Sequence, residues 1–109
     1  VSEENVVTTT ADEAERPVTL VVTRHAALVE YASELGLVGP DLRVLAHVSE
    51  ADVAGQHVLG VLPLHLAALA ASVTEIPLAL EPADRGVELP IERVRAIAGD
   101  PVRYVVRTA

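Results

Sequence analysis

Val18-Thr19-Leu20-Val21-Val22-Thr23-Arg24-His25 is the stretch that decides the fold. From Val18 to Thr23 every side chain is apolar or β-branched, with no alternation of polar and apolar positions. That is the pattern of a strand covered on both faces. The run leads straight into Arg24 and His25 and then into a different period. From Ala26 to Leu37 the apolar residues Leu28, Tyr31, Ala32 and Leu35 recur at three and four positions, and Gly36 and Gly39 end the pattern. This spacing predicts a helix. A strand feeding a helix is a βα unit, and it sets Arg24 and His25 at the carboxyl end of the strand.

Working outward, Arg43 to Val48 and His57 to Leu62 read as two further strands, separated by a polar loop containing Asp52 and Gly55. Pro63 suits the first turn of a helix. The Leu- and Ala-rich stretch Pro63 to Val73 carries few charges and predicts a helix buried on most sides. Ile76 to Leu80 reads as the next strand, and Glu81 to Pro90, with its prolines, acids and Arg85-Gly86 pair, as a surface loop. A helix from Pro90 to about Ala98 and a strand from Val102 to Arg107 complete the series. Strands alternating with helices predict an α/β sandwich with a mostly parallel five-stranded sheet, whose ligands bind beyond the carboxyl ends of the strands. Residues 1–17 show no sustained period and read as an acidic, flexible arm, leaving residues 18–109 as a single domain.

Composition narrows the function classes. Half of the 109 residues are apolar, enough for one core. The chain has no Cys, which removes disulfides, thiolate chemistry and Cys-ligated zinc. The only aromatic residues are Tyr31 and Tyr104, so base-stacking platforms are not expected. Apolar runs fall short of the roughly 20 residues of a membrane span and no basic-then-apolar leader is visible, so a cytoplasmic protein without a membrane partner is expected. A net charge of −8 argues against wrapping duplex DNA or RNA, where Lys and Arg must neutralise many phosphates. Five acids and one base lie in residues 1–17, so the remainder carries only −4, compatible with one compact anionic ligand. All eight basic residues are Arg, whose forked donors suit phosphate.

Three polar clusters follow predicted strands: Thr23-Arg24-His25, Pro63-Leu64-His65, and Asp84-Arg85-Gly86-Val87-Glu88. In a parallel sheet all three converge on one edge, where helix N-termini offer free amides to a phosphate. Arg24 and Arg85 would add bidentate contacts, and His25 or His65 would move a proton or stabilise a leaving oxygen. Each has a plainer reading beside it. His65 reads equally as a cap or surface residue, Arg85 as the partner of Asp84 or Glu88, and Glu88 as a solvated acid. His47 and His57 lie within strand-like segments and read as structural. No two histidines stand three or four residues apart, so no metal or other cofactor is expected. Thr-Arg-His is similar to the Arg-His-Gly of histidine phosphatases, but Ala26 stands where that family has glycine.

Taken in order, Val21-Val22-Thr23-Arg24-His25, Ala46-His47-Val48, Gly60-Val61-Leu62-Pro63-Leu64-His65-Leu66-Ala67-Ala68 and Arg85-Gly86-Val87-Glu88-Leu89 resemble the small CRISPR-associated family that can be written Csx-sixteen. The resemblance covers residues 18 to about 95 and departs from the family at Ala26-Ala27, where Pro-Gly is expected. It implies a Rossmann-like fold akin to the sensor domains (CARF) of type III CRISPR systems. It also implies a ring nuclease that cuts cyclic oligoadenylate, most of all cyclic tetra-adenylate, and so ends an antiviral signal. An RNA linkage carries its own nucleophile: the ribose 2′-hydroxyl attacks the adjacent phosphorus without a metal and leaves a 2′,3′-cyclic phosphate. The expected catalytic residues are Arg24 and His25 for phosphate stabilisation and His65 for leaving-group protonation. Arg85, Gly86 and Glu88 would contact the ligand from a loop, while Thr23, Gly60, Leu62 and Pro63 would shape the surface against it. A cyclic ligand with rotational symmetry is best enclosed by two copies, so a homodimer is expected. The alternative is a non-catalytic binder of the same ligand.

Overall fold

The structure is a computed structural model that describes residues 16–109. The expected flexible arm lies outside the described residues apart from Arg16 and Pro17. Five strands form one sheet: β1 (Val18–Val22), β2 (Val38–Leu45), β3 (His57–Leu59), β4 (Ser72–Glu75) and β5 (Val102–Tyr104). Their spatial order is β2-β1-β3-β4-β5, with the first four parallel and β5 antiparallel to β4. The helices are α1 (Ala26–Glu34), α2 (Glu50–Val53), α3 (Leu64–Ala67) and α4 (Ile91–Ile97), with a 3₁₀ turn over Pro82–Asp84.

The unbroken apolar run of β1 has a cover on each face. Leu20 points into one layer with Val53 of α2, Leu66 and Ala67 of α3, and Val58 and Val73 of the neighbouring strands. Val18 and Val21 point into the other layer with Ala32 of α1, Leu59 and Ile76, and α4 joins that side through Ala27, Leu89 and Val94. Leu20 and Leu59 are fully buried, each contributing about 1.5 to 3 kcal/mol. With β2 and β3 on opposite sides of β1, the chain reverses direction there, and right-handed crossovers put α1 and α2 on opposite faces. The crevice above such a reversal is the general ligand site of open α/β sheets.

Several boundaries differ from expectation, each for a local reason. The predicted helix over 63–73 shrinks to the single turn of α3. Ala71 N–H instead donates to the Gln56 carbonyl at 2.8 Å, which opens the β3–β4 ladder, and Ser72-Val73-Thr74 joins the sheet buried. The strand expected at Ile76 to Leu80 is therefore displaced to Ser72–Glu75. Pro77 has no N–H for a ladder, and Leu78 makes only an isolated antiparallel bridge to Ala98. The polar loop around Asp52 holds the short α2, begun by the Asp52 carboxylate, which accepts from the Ser49 N–H at 2.8 Å and hydroxyl at 3.1 Å. β2 starts earlier than Arg43 and includes Pro40, which an edge strand tolerates.

Candidate functional site

The parallel ladder delivers three strand ends to one rim. Thr23 N–H donates to the Leu45 carbonyl at 3.0 Å, so β1 and β2 stay paired to their last residues. The Thr23 hydroxyl then accepts from the His25 N–H at 3.1 Å, closing a tight turn that presents Arg24 before α1 begins. Gly60 ends β3 beside it. Its φ is +146°, and a Cβ there would lie 2.6 Å from the Val22 carbonyl oxygen. Only glycine allows β3 to pass this close to β1, which gives Gly60 a backbone reason to be where it is.

Two cavities open at this rim. A cleft of about 490 Å³ is lined by Arg24, His25, Leu78, Leu80 and the loop from Asp84 through Leu89. A smaller one of about 280 Å³ lies directly over the chain reversal, lined by Val22, Thr23, Arg24, Gly60, Val61, Glu75 and apolar neighbours. Arg24 and Leu78 belong to both walls. The first and third predicted clusters therefore meet in one cleft: Arg24 and His25 face Arg85, Gly86 and Glu88. The second is only partly there. Gly60 lines the smaller cavity, but Leu62, Pro63 and His65 line neither, and Leu62 packs against the core below α3. His65 is exposed on α3, on the same rim.

Five of the eight arginines separate into two groups by what they hold, while Arg103 donates to the Thr74 hydroxyl at 3.2 Å. Arg93 grips Asp84 with two bonds, from Nε at 2.9 Å and Nη2 at 2.8 Å, and also reaches Glu81 at 3.2 Å. Those bonds, with the Glu81 N–H behind them, hold the Asp84 carboxyl down to about 2. Arg95 pairs with Glu34 and lowers its pKa, and Arg43 reaches Asp52 at 3.4 Å. Arg24 and Arg85 have no carboxylate partner among the described residues, and both face the cleft. Asp84, the plainer candidate to neutralise Arg85, is already held by Arg93. Arg24 and Arg85 thus line one cleft together with Glu88, and neither makes an ion pair among the described residues.

Two features of the site were not foreseen from the residues. His47 is beyond the end of β2, not inside a strand, and its Nε2 lies 3.2 Å from Arg24 Nη2. The signal was available, since His47 follows its strand as Arg24 follows β1. The other is the buried, unpartnered Nδ1 of His25 under the cleft wall. Among the described residues no three His, Asp or Glu side chains are grouped to hold a metal ion, and no helix is long and apolar enough to cross a membrane.

Residues 20–107 match the family described as "Putative CRISPR-associated protein (Cas_VVA1548)". The chain belongs to this family. The matched span includes every cleft residue named above, so the CRISPR association attaches to the part of the molecule that carries the rim. Comparison with the curated proteins and with the solved structures gave no match for this CRISPR-associated chain.

Proposed function

We propose that this CRISPR-associated protein is a cytoplasmic ring nuclease of the Csx-sixteen kind, working as a homodimer on a cyclic oligoadenylate, most of all cyclic tetra-adenylate. The observation that carries the reading is the pair Arg24 and Arg85, without carboxylate partners among the described residues, facing one cleft at the chain reversal of the sheet. The Rossmann-like reading of the fold is supported by the same reversal between β2, β1 and β3.

The reaction needs no external nucleophile. Arg24 and His25 hold a phosphodiester, the first amides of α1 add donors from below, and Arg85 closes from the loop. Fixing the 2′-oxygen, phosphorus and 5′-oxygen in line lets the 2′-hydroxyl form the new P–O bond as the bond to the 5′-oxygen breaks. The 2′-hydroxyl gives up its proton to solvent water as it attacks, the cationic groups stabilise charge on the phosphoryl oxygens, and the departing 5′-oxygen takes up a proton. The products carry a 2′,3′-cyclic phosphate and a 5′-hydroxyl. His65, exposed on the same rim, supplies that proton where a ring lies across two rims.

The test is turnover of a large excess of cyclic tetra-adenylate by a small amount of protein, with products identified by mass and the assay repeated in chelator. Many turnovers to 2′,3′-cyclic phosphate ends in both conditions are expected. A second reading, sequestration without cleavage, draws on the position of His65 outside the cleft walls of a single chain. A ring recovered intact, bound one for each site, would establish that reading and overturn the first.

A further inference from the structure

We infer that His47 is a positioning residue for Arg24: as a neutral imidazole with its proton on Nδ1, it holds the guanidinium through Nε2 at the junction of the two rim cavities. The chemistry of the contact fixes the tautomer. A guanidinium can only donate, so at 3.2 Å the Nε2 of His47 must present its lone pair to Arg24 Nη2. The proton of a neutral ring then resides on Nδ1.

The backbone makes the contact a property of the fold. Val22 and Leu45 are register partners in the parallel β1–β2 ladder. Arg24 and His47 each stand two residues beyond those partners, so the side chains leave adjacent strand ends at matching positions. No other side-chain hydrogen bond to Arg24 is made among the described residues. An arginine already held surrenders less rotamer freedom when an anion arrives than a free one would.

Protonation reverses the effect. A proton on Nε2 removes the acceptor and sets a second cation against the guanidinium. Near His47 along the chain stand Arg43 of β2 and Glu50 and Asp52 of α2. Asp52 is already engaged by Ser49 and Arg43. The contact stands independently of the ring nuclease reading, while its consequence for turnover rests on that reading.

Side-chain nitrogen NMR of the full chain at about pH 8 reads the tautomer without any ligand. His47 is expected as Nδ1–H, and Arg24→Met should return it to the Nε2–H form of an unconstrained histidine. In turnover of cyclic tetra-adenylate, His47→Ala should lower kcat about tenfold and raise KM less. His47→Gln, whose Oε1 accepts the same N–H, should restore most of the rate. An Nε2–H tautomer in the unaltered protein, an unchanged kcat in His47→Ala, or no rescue by His47→Gln would each overturn the proposal. If the tautomer is as expected but no ring is cut, the ring nuclease reading fails alone. Binding of inorganic pyrophosphate then decides the role, with about fivefold weakening in His47→Ala supporting it and equal affinity overturning it.

Discussion

The flank of α4 and the rim above β1 use the same residue type to opposite ends. On the flank, Arg93 meets Asp84 and Glu81, and Arg95 meets Glu34, so each guanidinium is spent on holding the chain to itself. At the rim, among the described residues, Arg24 meets only the His47 imidazole and Arg85 meets no carboxylate. Asp84 and Arg85 are consecutive, yet they fall on opposite sides of this division. Anchoring Asp84 to α4 fixes the turn from which Arg85 projects, so a structural ion pair on one side presents a free cation on the other. The contrast is between guanidiniums whose partner the chain supplies and two that line a cleft without one.

Gly60→Ala should break the rim most severely, because the new Cβ meets the Val22 carbonyl and the backbone sits in a region that L residues avoid. A loss of about 2 to 4 kcal/mol is expected in denaturant unfolding. Arg24→Ala should lower cleavage of cyclic tetra-adenylate at least about tenfold with an unchanged unfolding midpoint. A falling midpoint would place Arg24 with the flank. His65→Ala is expected to cost a similar factor in rate, and a rate equal to that of the unaltered protein would remove it from the reaction. Arg85→Ala should weaken ring binding about three- to fivefold by titration, a smaller effect because it approaches from a loop. Arg93→Met should do the reverse of Arg24→Ala, lowering the unfolding temperature while the rate well below the transition changes less than about twofold.

The last of these carries a pH signature. Asp84 titrates lower in the folded protein than in the unfolded chain, so its contribution is complete above the ordinary carboxyl range near 4 and is lost as pH falls toward 2. The gap in unfolding temperature between Arg93→Met and the unaltered protein should therefore close over that interval. A gap that persists at about pH 2 would mean Arg93 stabilises by packing and not by its ion pair.

β1, β3 and the alternation of strands with helices were legible from apolar runs, whereas the fourth strand was expected at Ile76 to Leu80 and stands instead at Ser72–Glu75. β1, α1 and α4 were read nearly to their ends. What was not legible depended on partners far along the chain. The Leu- and Ala-rich stretch after Pro63 has the composition of a long helix, and only the pairing of Ser72–Glu75 with β3 shows why it stops after one turn. The reversed direction of β5 leaves no mark in its residues. At the site, Arg24, His25 and Arg85 were findable because they follow strand-like segments into loops. The contact between Arg24 and His47 required the register of β1 against β2, and the commitment of Asp84 to Arg93 required α4 to lie beside the turn.

The antiparallel β5 also decides how the molecule can be attached to anything else. Parallel β1 starts at the sheet edge opposite the rim, and β5 enters at the rim, where Val102 pairs with Glu75, and runs back to that far edge. β1 thus begins, and β5 ends, on the side remote from the cleft. A fluorophore carried beside Val18 or Tyr104 would therefore stand away from the mouth of the cleft.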